Sequence, residues 1–125
     1  MLNVHDNIIN SYKVDLENKV IVLHTKSVDG RLVNVVFTDV LAHVFRNHLY
    51  GSIILDIEEE DLGQFFGQNR GLLKEKKDYC WPIDYNDVKE LEHKLEEEHY
   101  SYYIILASYG LNGWVLAKNV ECQML

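Results

Sequence analysis

Short apolar runs, some with residues alternating between two faces, are separated by turn signals over the chain up to Ile57, and they predict strands. Lys19–Lys26, KVIVLHTK, is the clearest stretch, and a weaker strand over Ile8–Val14 precedes it across a turn at Asp15–Asn18. Asp29-Gly30 is a hairpin dipeptide and leads into a strand over Arg31–Phe37, in which Phe37 is expected to point inward. Asp39 marks a break or bulge. After it, Val40, Ala42 and Val44 are expected on one face of a strand running to Arg46, with Leu41, His43 and Phe45 on the other. A turn near Tyr50-Gly51 precedes a strand over Ser52–Ile57, whose apolar run leads straight into Glu58, Glu59, Glu60 and Asp61.

The pattern then changes period. Leu62, Phe65 and Phe66 have helical spacing, and Leu72 and Leu73 continue the apolar face. Gly63, Gly67 and Gly71 recur at every fourth position, and each costs about 1 kcal/mol in a soluble helix, so one or two short helical pieces with irregular joints are expected. The surrounding run is too polar for these glycines to be a membrane-helix motif. A second helix is clearer: Asp84 as N-cap with Asp87 three residues on, a stripe of Val88, Leu91 and Leu95, and a Glu90–Lys94 pair. It ends on Glu96, Glu97 and Glu98, where the helix macrodipole is negative and acids are unfavourable. Ser101–Ser108 is apolar on both faces, like a central strand. Gly110, Asn112 and Gly113 are expected to turn the chain, with Asn112-Gly113 as the hairpin dipeptide, and Trp114–Val120 returns. Strands, helix, strands predicts one α+β domain over residues 1–125. Its sheet would be a mostly antiparallel twisted meander plus a C-terminal hairpin, with one main helix packed on a face.

Charge adds a direction. Residues 51–100 carry fourteen acids against six bases, which accounts for the whole net charge of −8, while the flanking segments sum to zero. Such a field repels nucleic acid and anionic membrane and attracts basic protein surfaces. At 125 residues the chain is long enough for a core without staples. Its start, MLNVHDNIINSYKVD, reads as neither export signal nor membrane span, so a cytoplasmic location is expected. Cys80 and Cys122 match no metal or redox spacing, which leaves them as free thiols.

Candidate chemistry is sparse. Of six histidines none has zinc-ligand spacing, but His24 and His43 on neighbouring strands, with Asp56 nearby, would form a metal-binding or hydrolytic site. A half-buried sheet histidine more commonly just makes a hydrogen bond. Ser52 and Ser108 lack a nucleophile elbow, Cys80 lacks a neighbouring base, and GLNG is too short for a phosphate loop. Asp56, Glu58 and Glu60 lack the spacing of a calcium loop, and no cofactor is expected. Tyr103 and Trp114 are expected in the core, and Tyr109, beside the turn, is expected to be exposed.

The run VVFTDVLAHVFRNHLYGSIILDIEEED, the segment YCWPIDY and the ending ASYGLNGWVLAKNVE resemble a group of small, uncharacterised Firmicutes proteins. Some of these are similar to immunity-type proteins encoded beside secreted polymorphic toxins. The resemblance spans about residues 33–121 and rests on fold markers: Phe37, Asp39 and Val40; Asp56–Glu59; Trp81-Pro82; and Ser108–Val115. It implies a non-enzymatic binding protein that neutralises a cognate toxin by stoichiometric occlusion. Taken with the charge, the expected partner is a protein with a basic surface, such as a secreted toxin domain. The expected contact residues are Glu58, Glu59, Glu60, Asp61, Glu97, Glu98 and Tyr109. The alternatives are the small metal-binding or hydrolytic domain on His24, His43 and Asp56, and a homodimeric structural module paired through a sheet edge.

Overall fold

The computed structural model describes residues 2–76, 81–83 and 85–125. The chain forms β1 (Ile8–Asp15), β2 (Val20–Lys26), β3 (Leu32–Thr38), β4 (Ala42–Arg46) and β5 (Ile53–Glu60). There follow α1 (Leu62–Gln68), α2 (Arg70–Lys76) and α3 (Val88–Glu97), then β6 (Ser101–Tyr109), β7 (Asn112–Ala117) and β8 (Asn119–Met124). The turns fall where local chemistry demands them. Asp15 accepts from the Asn18 backbone N–H at 3.0 Å, and Gly30 at φ +89° completes the β2–β3 hairpin. Gly51 takes φ +80° before β5.

All strand pairs are antiparallel, in the order β4-β7-β6-β5-β1-β2-β3-β8. The sheet is strongly folded, because two of its strands are continuous across a corner. β3 and β4 are separated only by residues 39–41, and β7 and β8 only by Lys118. β3 pairs with β8, whereas β4 pairs with β7. At the corner Asp39 adopts φ +52°, and the Lys118 N–H reaches the Thr38 carbonyl at 3.2 Å. Bends of this kind let one ribbon pass from one half of a sheet to the other. The second corner joins β1 to β5 through Ile8 and Ile53, with flanking bonds from Ile9 to Ser52 and from Ile54 to Asn7, each 2.9 Å. One half, β1-β2-β3-β8, thereby closes over the other, β4-β7-β6-β5, in a barrel-like ring.

Strand alternation then sorts the side chains into two cores. Inside the ring lie Val4, Ile9, Ile21, Leu23, Val35, Phe37, Ile54, Ile105 and Val115, with Tyr103. Outside it, Tyr102, Trp114 and Leu116 on β6 and β7 meet Leu62, Phe65 and Phe66 of α1, Leu73 of α2, and Leu91 and Leu95 of α3. Phe65 is fully buried and packs its ring against Tyr102 and Trp114 at 5.2 and 5.0 Å between centroids. Burying a side chain of this size contributes roughly 1.5–3 kcal/mol. Phe37, Tyr103 and Trp114 are buried as expected, and Tyr109 is 52% exposed.

Several expectations need correction. The final hairpin turns at Gly110-Leu111, not at Asn112-Gly113, which instead open β7. Gly110 takes φ +80°, and its missing side chain leaves room for the Cα of Ser52, 3.1 Å from where a Cβ would stand. The return strand is two strands, because Lys118 redirects it. Val40 and Leu41 exchange faces relative to the simple alternation: Val40 packs on the inner core and Leu41 on the outer one, owing to the corner at Asp39. Two seven-residue helices and the ten-residue α3 form the helical layer among the described residues. The N-cap of α3 is Asp87, whose side chain accepts from the Glu90 N–H at 2.8 Å, while Asp84, the expected cap, and Cys80 lie outside the described residues.

Candidate functional site: the acidic end of the barrel

β5 alternates through its acids. Asp56, Glu58 and Glu60 pair with Leu106, Ile104 and Tyr102 on the outer face, while Glu59 pairs with Tyr103 on the inner face, at the mouth of the ring. The row follows a strand edge: among the described residues β1 pairs with β5 only at Ile8 and Ile53, and the bonds of the N-terminal segment to β5 reach as far as Leu55, through His5. A cavity of about 590 Å³ opens there, lined by Leu2, the run Asp56–Glu60, Tyr103 and Val120. Its lining combines the apolar residues Leu2, Ile57, Tyr103 and Val120 with four acids.

Electrostatics along the row are unfavourable for the free protein. Glu58 and Glu60 share a hydrogen bond, which holds the Glu58 carboxyl above its ordinary range, reinforced by the negative charge of Glu60 and Asp56. Among the described residues no Lys or Arg forms an ion pair with Asp56, Glu58, Glu59 or Glu60. His5 offers partial compensation beside Asp56. Its Nδ1 lies 2.6 Å from the Leu55 carbonyl, and that bond, with the charges of Asp6 and Asp56, raises its pKa. Glu59 accepts from Ser101 Oγ at 3.3 Å, and Asp56 accepts from the N–H of Ile57 at 2.8 Å.

The other expected contact residues are distributed unevenly. Asp61 is the N-cap of α1 and accepts from Gln64 N–H at 2.9 Å, so its carboxylate serves the helix. Glu97 and Glu98 end α3 and so reach the same end of β6 as Glu60. They line a separate cavity of about 610 Å³ that also contains Lys19, Lys94 and Lys118, so their surroundings are mixed in charge. Glu97 also pairs with His93 at 2.9 Å. Tyr109 sits at the opposite end of β6, eight residues from Ser101, or about 26 Å along the strand. The fold therefore gathers Glu58, Glu59 and Glu60, places Glu97 and Glu98 nearby, and leaves Tyr109 apart.

The trio His24, His43 and Asp56 is not assembled. His24 is on β2 and His43 on β4, which are not neighbours in the sheet, and β5, with Asp56, adjoins neither. His24 Nδ1 instead meets Asn34 Oδ1 at 3.1 Å. His43 packs its ring 5.0 Å from that of Phe45, and burial pushes its pKa down. Among the described residues no three His, Cys, Asp or Glu side chains come together to hold a metal. Ser52 is a clasp rather than a nucleophile: buried, it donates to Leu49 O at 2.6 Å and accepts from Leu111 N–H at 2.8 Å. Ser108 is exposed at the end of β6.

Residues that pattern reading passes over include Leu2, Tyr103 and Val120, which line the acidic cavity. Their chain separation hides them, and only ring closure brings them together. Among the described residues no helix is long and apolar enough to cross a membrane. No family model matches the chain, and no curated protein does either.

Proposed function

We propose that this chain is a non-enzymatic binding protein of the immunity type, which occludes a basic protein surface, such as that of a secreted toxin domain, in the cytoplasm. The observation that carries the reading is the row Asp56, Glu58 and Glu60, which shares one face of β5 and has no Lys or Arg ion pair among the described residues. Like charges crowded on an open strand edge raise the energy of the free state. A partner supplying Lys or Arg relieves that repulsion and forms charge-assisted bonds. Glu59 and the apolar lining of the adjoining cavity add a place for the stem of such a side chain. Nucleic acid and anionic membrane are disfavoured by the same field.

The test is co-expression with the product of the adjacent gene. That product should be toxic alone, tolerated with this chain, and recovered with it in a 1:1 complex. Replacing Glu58 and Glu59 together by Lys should slow association at least tenfold and weaken its salt dependence, with little change in melting temperature. Toxicity that persists in the presence of the chain, or association indifferent to the double substitution, overturns the reading.

A further inference from the structure

We infer that β8 is a self-association edge, through which two copies pair as a two-fold dimer with a continuous sheet β1-β2-β3-β8-β8-β3-β2-β1. The inference does not rest on the acidic site.

The first observation is the state of the edge. Among the described residues β8 ends the strand order and pairs with β3 alone, in an unbroken register from Val33 opposite Met124 to Thr38 opposite Asn119. Leu125 N–H donates to Leu32 O at 3.1 Å, which fixes the alternation. Asn119, Glu121 and Gln123 direct their backbone groups to β3. Val120, Cys122 and Met124 direct theirs to the open side.

Among the described residues the edges of β4, β1 and β5 are each guarded in one of the ways that block pairing. β4 is only five residues long and ends in Arg46. β1 carries a bulge between Ile9 and Ser11, and its Tyr12 hydroxyl bonds His48 at 2.8 Å from the flanking loop. β5 caps its own Ile57 N–H with the Asp56 carboxylate and bristles with acids. β8, NVECQM, has no proline, lysine or bulge, and Glu121 is its single charge.

A second copy fits better than a different partner because the edge is self-complementary. Antiparallel pairing centred on Cys122 sets Val120 opposite the other copy's Met124, so that all three outward N–H and C=O pairs of each strand are satisfied. It also sets Glu121 opposite Gln123 twice, an acceptor facing an amide donor, with no like charges opposed. Residues 1–50 and 101–125 sum to zero charge, so the approaching halves do not repel. The acidic rows border Val120, at opposite ends of the paired strands. The four-residue run from Val120 to its counterpart separates them by at least about 14 Å, beyond the screening length of about 8 Å at physiological salt. Met124, 60% exposed, lies in the seam and would lose water on pairing.

Gln123 is exposed, so its variants test the register without disturbing the core. Sedimentation equilibrium from 1 μM to 0.5 mM should give a concentration-dependent dimer. Gln123→Glu, which opposes two acid pairs, should weaken it about fivefold, and Gln123→Lys, which creates two Glu121–Lys pairs, should tighten it by a similar factor. Amide exchange at Cys122 should slow with concentration while that at Glu121 does not change. A monomer throughout the range, or a dimer whose affinity ignores both substitutions, overturns the inference.

Discussion

Gly113 stands where the carbonyl of Val44 needs the space of a side chain. A Cβ on Gly113 would collide with that oxygen and lie 2.9 Å from the Cα of Phe45, its partner across the β4–β7 ladder. Its φ of +153° adds a conformation that other residues rarely adopt. Gly113→Ala should therefore destabilise the fold by about 2–4 kcal/mol, because backbone and not a flexible side chain must move. Urea denaturation measures this. A loss below 0.5 kcal/mol, roughly the size of a neutral surface change, would show that β4 can shift freely.

Trp114, the next residue, faces the other way and carries the helical layer. Its ring lies 5.0 Å from Phe65 and 6.2 Å from Tyr102. Trp114→Ala should cost about 3–5 kcal/mol, comparable with the whole stability of a small domain. Loss of exchange protection should appear first in α1 and α3, since the inner core does not contain this ring. Near-normal stability with lost partner binding would instead make Trp114 part of the binding surface.

The shared hydrogen bond of Glu58 and Glu60 has a pH signature. Glu58 in the folded protein holds its proton above the ordinary value of 4.5. The folded state therefore binds more protons than the unfolded state just above that pH, and stability falls as pH rises through this window. Glu58→Gln keeps a hydrogen-bond donor and removes one charge. It should flatten the profile there and raise the melting temperature at pH 7 slightly. An unchanged profile would mean that solvent screens the pair.

His43 predicts the opposite slope. Half burial against Phe45 lowers its pKa below 6.5, so the unfolded chain takes up its proton first. Stability should decline as pH falls through 6.5 toward the folded value, and His43→Phe should remove that decline. Thermal melts between pH 5 and 8 decide it. A slope that persists in the variant assigns the effect to another group.

His99 closes α3 in the left-handed conformation, at φ +64°. Its N–H bonds Glu96 O at 3.1 Å and the N–H of Tyr100 bonds Leu95 O at 3.0 Å, the paired bonds of a Schellman motif that glycine usually occupies. His99→Gly should stabilise by about 0.5–1 kcal/mol, with the strain relieved offset in part by the entropy of the unfolded glycine. A destabilised variant would reveal a contact made by the imidazole.

What the sequence determined by itself was local. Alternation marked the strands of the first half, and the turns at Asp15, Gly30, Asp39 and Gly51 followed from residues whose backbone preferences are intrinsic. The stripe Leu91–Leu95 and the Glu90–Lys94 pair, seen at 3.2 Å, likewise need only neighbours one turn away. The buried Phe37 follows from the same alternation, and the exposed Tyr109 from its place beside the turn.

Only the tertiary structure decided what long-range pairing controls. Asn112-Gly113 has the composition of a turn, but β4 lies so close that a glycine is required inside the strand, and the turn moved to Gly110-Leu111. His24, His43 and Asp56 were plausible neighbours in a simple meander, yet β7 and β6 insert between β4 and β5, and β1 lies between β5 and β2. Glu58, Glu59 and Glu60 were visible as charge. The cavity beneath them was not, because Leu2, Tyr103 and Val120 meet only when the ribbon turns its corners at Asp39 and Lys118. Side-chain period is a property of one strand, whereas the order of strands is set by where the backbone can turn a corner and which strands then meet.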